Sequence, residues 1–277
     1  MERTKVALVY DFDGTLSPGN MQEYDFIPSV GKNNEQFWDY TNSIAREQDA
    51  DPILVYMWRM IREAQSKELP IKREAFVHSG RNIKLFNGVK DWFARINSYG
   101  KDKGLDIEHY IISSGIKEMI EGTAIAGEFK QIYACSFLYD ENDIACWPSV
   151  SVNYTNKTQF IFKINKGIDS VFESKLINKF TPEEERPVQF RHMIYFGDGT
   201  TDIPCMKLVK EKNGHSIAVY NPECGTSGLE NLIKDNRVNY VCCADYSEEG
   251  EIDNLVRAII NKIQADLILK EFTEKNK

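Results

Sequence analysis

The chain has 277 residues, with 34 Lys and Arg against 42 Asp and Glu, a formal net charge of −8 and 42% hydrophobic residues. That length can bury a sizeable core, as one large domain or a core with a smaller companion, and 27% charged with 12% aromatic residues excludes wholesale disorder, collagen-like repetition and fibrous coiled coil. The acidic balance argues against a protein that grips nucleic acid through its phosphates, because counterion release needs concentrated Lys and Arg.

No apolar run approaches the ~18 residues of a membrane span, and the N-terminal stretch leads into a strand-like segment rather than a signal peptide. These features predict a cytoplasmic protein. The six cysteines show no C-x-x-C pair and no His at zinc-finger spacing, so reduced, buried thiols are expected.

The first apolar run, Val6-Ala7-Leu8-Val9-Tyr10, is short and continuous, as a strand covered on both faces should be, and it ends in Asp11-Phe12-Asp13-Gly14-Thr15. From about Ser17 to Arg81 apolar residues recur at helical spacing, for instance Ile53, Met57, Met60, Ile61 and Ala64. This segment reads as a helical insertion. A helix over about Val89 to Tyr99 is followed by the strand His109–Ile112, which closes in Ser113-Ser114-Gly115 before a helical run from Ile116 to Gly122. Residues 131–154 predict a hairpin turning at Asp140–Asp143, with Pro148 confining its second run to an edge or bulge.

A helix from about Thr158 and a polar loop over 181–187 precede the buried strand His192–Phe196, which closes in Gly197-Asp198-Gly199-Thr200-Thr201-Asp202. Further strands at Ser216–Tyr220 and Val238–Cys242, a helix from about Glu251 to Leu269, and a frayed 270–277 end complete the chain. Alternating strands and helices predict an α/β fold, a Rossmann-like three-layer α/β/α core on a parallel sheet with an inserted α-helical cap. Residues 1–16 and 82–277 would form the core and 17–81 the cap.

Three polar clusters each follow a buried strand, and in open parallel sheets the carboxyl ends of the strands share one edge where ligands settle. Distant clusters can therefore meet. Asp11 and Asp13, one residue apart, point in different directions, which permits a nucleophile and a separate acid/base; a plain Asx turn is the bland alternative. Asp198 and Asp202 bring the acids at that edge to four without a matching basic cluster, a set suited to Mg²⁺; Asp202 could equally cap the helix through Met206 and Leu208. Ser113 and Ser114 would face outward at a helix N-terminus, a place that binds anions or serves only as an N-cap.

The residues that carry these clusters resemble the haloacid dehalogenase superfamily in its phosphatase branch. Val-Tyr-Asp-Phe-Asp-Gly-Thr-Leu at 9–16 is similar to its first motif, Ile111-Ile112-Ser113 to the second and Gly197–Asp202 to the fourth. The third, a lone lysine near a helix start, is best matched by Lys157, with Lys163 and Lys166 as candidates. The resemblance implies that Asp11 forms an aspartyl phosphate and that Asp13 protonates the departing alkoxide, then activates water. It also implies Mg²⁺ on the Asp11 carboxylate, the Asp13 carbonyl and Asp198, with Gly199 and Asp202 supporting. Ser113 and Lys157 would hold the phosphoryl oxygens, helped by Thr15, Ser114 and the N–H groups near Gly14 and Ser114.

Asp13 argues against dehalogenation, since a halide needs no proton to leave, and ion pumps of the superfamily need membrane spans. The resemblance thus implies a Mg²⁺-dependent phosphatase of a small soluble phosphomonoester, a phosphorylated metabolite. A phosphomutase or phosphotransferase, and a catalytically silent metal-phosphate binding protein, are the alternatives. The segment from about Ser17 to Arg81 is similar to the cap of the phosphoserine phosphatase-like group. The acid with which that group holds the substrate amine is replaced by Asn20, with Glu23 out of register, which argues against phosphoserine itself. Among Arg46, Arg59, Arg62, Arg73 and Arg81, at most one is expected to bind a second substrate anion, and Trp38, Tyr40, Trp58 and Phe76 are expected in the core.

Overall fold

The structure is a computed structural model, and it describes residues 3–69, 71–226 and 229–275. Seven strands form one sheet: β1 (Thr4–Tyr10), β2 (Leu105–Ile116), β3 (Gln131–Tyr139), β4 (Ala145–Val150), β5 (Met193–Gly197), β6 (His215–Tyr220) and β7 (Tyr240–Cys243). Their order across the sheet is β4-β3-β2-β1-β5-β6-β7. Every neighbouring pair is parallel except β3 with β4.

Consecutive residues of β1, Val6 through Tyr10, are all fully buried although their side chains alternate between faces. Both faces must therefore be covered, which the continuous apolar run demands. The helices Val89–Asp102 and Glu251–Lys275 pack together, joined by Arg95 to Asp253 and Tyr99 to Asn261. The helices Lys157–Lys166 and Ile203–Glu211 form a second packed pair.

Between β1 and Val89 the regular elements are helical: Met21–Glu23, Phe26–Ser29, Asn34–Glu47, Pro52–Ser66 and Arg73–Gly80. Local chemistry sets their starts. Asn33 and Gln36 make a reciprocal capping box, and Asp51 accepts the Ile53 N–H with Pro52 as the first helical residue. Helix Arg73–Gly80 crosses Lys117–Glu121 so closely that a Cβ on Gly80 would lie 2.0 Å from the Met119 carbonyl oxygen. The hairpin forms with Asp140 tying its turn, and β4 is the sheet's edge strand, its register slipping next to the pair of Phe137 with Pro148.

Three expectations fail in whole or in part. Ser113 and Ser114 do not open a helix, because β2 continues to Ile116 and only a single turn, Lys117–Glu121, follows. The terminal helix does not fray at 270 but runs to Lys275, its first half anchored by buried Ile252, Val256, Ile259, Ile260 and Ile263. Residues 276–277 of that expected frayed end, and residues 1–2 of the expected N-terminal lead-in, lie outside the described residues. Among the described residues no helix is long and apolar enough to cross a membrane. All six cysteines are free, but Cys146 and Cys224 are exposed rather than buried as expected.

Candidate active site

Sheet order alone brings the three clusters together, because β2, β1 and β5 are adjacent and parallel, with Tyr10 paired to both Ile111 and Phe196. Asp11 is the first residue beyond β1 and Asp198 the first beyond β5, and the Asp11 N–H donates to the Phe196 carbonyl at 2.9 Å. A cavity of about 320 Å³ opens at this edge, lined by Asp11, Asp13, Ser113, Asp198 and Gly199 from the core and by Gln22, Trp38 and Tyr56 from the helical segment.

Beneath it lies Lys157, fully buried in the first turn of its helix, with Nζ 2.9 Å from Asp11 Oδ2 and 2.7 Å from Asp202 Oδ1. Lys163 and Lys166 are elsewhere. Their ammonium groups donate to the Ser170 carbonyl and to the carbonyls of Ile177 and Lys179. Asp202 is also held by the Tyr195 hydroxyl at 2.6 Å and makes no side-chain cap bond to its helix, so the capping alternative is not realised.

Oxygens of Asp11, Asp198 and Asp202 lie within 4.8 Å of one another. Burial pushes the Asp11 carboxyl up to about 6, against the pull of Lys157, and it pushes Asp198 up to about 8 with added repulsion from Asp11 and Asp202. Asp13 is raised by burial and then by Asp11, while the Met21 N–H, donating to its Oδ1 at 3.0 Å, acts the other way. Burial acts to lower the Lys157 ammonium, but Asp11 and Asp202 more than reverse this and it stays charged. One ammonium cannot neutralise these acids, and Asp202 Oδ2 has no hydrogen-bond partner among the described residues. Such a set of hard, under-neutralised oxygens fits a divalent cation of the Mg²⁺ type.

Gly14 is required by this packing, because its φ is +75° and a Cβ there would sit 2.0 Å from Asp198 Oδ2. Its N–H is not free for a phosphoryl group, since it donates to the Ser17 carbonyl at 2.7 Å. Ser113 accepts the Gly115 N–H at 3.0 Å, and the buried Ser114 hydroxyl has no partner among the described residues. Thr15 is fully buried behind the site, its carbonyl accepting from Tyr246, and it does not line the cavity.

The helical segment departs from expectation. None of Arg46, Arg59, Arg62, Arg73 and Arg81 lines the cavity: Arg59 is buried against Glu63 and the Phe37 carbonyl, and Arg73 pairs with Glu118. Phe76 is in the core as expected, but Tyr40 and Trp58 are exposed and Trp38 faces the cavity. Glu23 accepts from the Trp38 indole at 2.7 Å and from Asn20 at 2.6 Å. Sequence reasoning missed Gln22, Tyr56, Thr200 and Thr201 in the lining and Tyr195 beneath it. Of these, only Thr200 and Thr201 carried a signal, since they sit inside the last polar cluster.

The fold and this edge define an α/β protein whose ligand crevice holds clustered acids over a buried lysine. The chain belongs to the haloacid dehalogenase-like hydrolase family, whose model matches residues 8–207. It is 27% identical over 280 residues to an uncharacterized protein of Borreliella burgdorferi, covering 91% of this chain and 95% of that one. A HAD family hydrolase from Salmonella enterica serovar Typhi has a similar fold, with TM-score 0.57 at 17% identity over 91% of this chain and 71% of that one. So does phosphoserine phosphatase, solved as a phospho-aspartyl intermediate analogue, with TM-score 0.54 at 13% identity over 92% of this chain and 99% of that one.

Proposed function

We propose that the protein is a phosphatase that hydrolyses a small phosphomonoester through an aspartyl phosphate on Asp11. The observation that carries this reading is the buried Lys157 ammonium, 2.9 Å from an Asp11 carboxylate that faces the cavity beside Asp13 and Asp198. In the first step an Asp11 oxygen bonds to phosphorus while the ester P–O bond breaks, and Asp13 gives its proton to the departing alkoxide. In the second, Asp13 takes a proton from water, whose oxygen bonds to phosphorus as the Asp11–phosphorus bond breaks and phosphate leaves.

Two features support the division of labour. Burial and the neighbouring Asp11 raise the Asp13 carboxyl, which favours the protonated form that the first step needs. Lys157, with a hydroxyl from Ser113, supplies fixed positive and donor groups to the phosphoryl oxygens. A bound Mg²⁺, held by Asp11, Asp198 and the Asp13 carbonyl with Asp202 beside them, would neutralise charge on the transferring group. Residues 17–81 act as a cap that covers the phosphoryl group, and Thr15 supports the site from behind.

Release of inorganic phosphate from a generic ester such as phenyl phosphate, with and without Mg²⁺ and with Asp11→Asn, tests this. Metal-dependent turnover that the substitution abolishes is expected. Unchanged turnover in Asp11→Asn overturns the assignment.

A further inference from the structure

A second cleft opens at the other end of the sheet, where the parallel strands β1 and β5 begin. The turn Phe190–His192 leads into β5 there and packs against β1. The cleft holds about 280 Å³ and is lined by Arg3, Lys5, Arg186, Arg191 and Lys270, with the His192 imidazole among them. Lys and Arg are only 34 of the chain's 277 residues, so five in one recess concentrate positive charge on a protein that carries an excess of acid. Among the described residues no Asp or Glu lines the cleft, and the rest of its lining is uncharged.

The acids nearby leave this charge uncancelled. Lys5 pairs with Glu108 at 3.4 Å, but Lys130 holds Glu108 more closely, at 2.6 Å. Lys270 pairs with Glu274 at 3.6 Å, and Asp266 is engaged by Lys262 at 2.6 Å. The Arg186 guanidinium donates to the Thr181 carbonyl and to Asn165, neither of which carries charge. Arg3 and Arg191 are exposed and have no ion-pair partner among the described residues. Like charges gathered in a recess repel one another and focus a positive potential there, which a bound anion relieves.

His192 adds an independent feature. It is 5% exposed and its ring nitrogens make no hydrogen bond among the described residues, yet neither is sealed from solvent, so the ring opens onto the cleft. Burial, then the cations of Arg191 and Lys270, push the imidazole down to about 4, against the pull of Asp266. It is therefore neutral near pH 7 and offers one N–H to an acceptor.

We propose that this cleft binds a diphosphate group, free or carried on a small metabolite. Guanidinium forks match pairs of phosphate oxygens, and several cations around a compact recess suit a small anion of high charge. A volume of about 280 Å³ takes a small molecule, and no Phe, Tyr or Trp lines it to stack a nucleoside base. Asp11 lies beyond the far end of β1, about 20 Å from Lys5, so this site is distinct from the phosphoryl site and the inference does not depend on the phosphatase reading.

The test is titration calorimetry of the full chain in EDTA at low salt, with inorganic diphosphate and with ADP. Chelation keeps Mg²⁺ from complexing either ligand or drawing it to the acids around Asp11. One saturable site is expected for both, with comparable affinity. Arg191→Glu and Arg3→Glu, at exposed positions, should each weaken diphosphate binding by at least about tenfold, the worth of one charge-assisted hydrogen bond, without lowering the melting temperature. Absence of saturable diphosphate binding, or binding that neither substitution weakens, overturns the inference. Binding of ADP alone would put recognition in the nucleoside and also overturns it. So does binding to phosphatidylserine vesicles in place of diphosphate, which would make the patch a membrane-facing surface.

Discussion

Lys157 Nζ and Asp11 Oδ2 lie 2.9 Å apart although one opens a helix and the other directly follows strand β1. The ammonium is fully buried and its other partner, Asp202, is fully buried too. It therefore bridges two carboxylates that would otherwise repel each other in a low dielectric, offsetting part of their charge.

Lys157→Met is expected to lower stability by about 3–5 kcal/mol, since it strands buried charge, and to reduce kcat at least about a hundredfold. Denaturant unfolding and phosphate release read the two effects. A variant with unaltered unfolding would show that the pair is not a buried ionic contact.

Asp198→Asn should separate stability from metal binding. Its carboxyl is raised to about 8 by burial and by Asp11 and Asp202, so at pH 8 the asparagine removes repulsion and the metal-free variant should melt no lower than the parent. Millimolar Mg²⁺ should raise the melting temperature of the parent but not of the variant. Equal Mg²⁺ shifts in both would remove Asp198 from the metal site.

The same groups set a pH dependence. Asp11 and Asp198 are raised to about 6 and about 8 from 3.8, so the native state holds protons that the unfolded chain releases. Their contribution to metal-free stability is complete below about pH 4 and is lost as pH rises through 6 and then 8. Mg²⁺ competes with those protons, and its stabilisation should grow over the same window. Thermal melts across this range, with and without Mg²⁺, check the sign.

On the acid side His109 acts in the opposite sense. It is buried among Tyr10, Phe93 and Asn97, and burial lowers it from 6.5 to about 3. It therefore contributes stability that is present above about pH 6.5 and falls by up to about 1.4 kcal/mol per pH unit as the unfolded chain protonates. His109→Gln should flatten this loss between about pH 6.5 and 3. An unchanged acid slope would argue that another group controls it.

Gly80→Ala should destabilise by about 1–3 kcal/mol, because its Cβ would meet the Met119 carbonyl oxygen at 2.0 Å and force two helices apart. Chemical denaturation measures this. A neutral substitution would mean the crossing is loose.

Much of the core was legible because its signals are local. The continuous run Val6–Tyr10 reads as a strand covered on both faces, and Asp11-Phe12-Asp13-Gly14-Thr15 and Gly197–Asp202 read as polar turns after strands. The choice among Lys157, Lys163 and Lys166 was not legible, because all three share one helix and only its packing against β2 and the helix Ile203–Glu211 decides which ammonium reaches Asp11. Trp38 and Gln22 were likewise hidden. A tryptophan at helical spacing and a glutamine in a polar stretch look like core and surface until the helical segment is laid over the sheet edge.

By itself, then, the order of residues determined the strands, the acids at their ends and the family to which they belong, since each depends on neighbours within a few positions. Which lysine meets the acids, that the Gly14 N–H is taken by the Ser17 carbonyl, and what faces the cavity were decided by tertiary structure alone. Those outcomes rest on close packing between segments distant in the chain, where a difference of one helical turn moves a side chain by several ångströms.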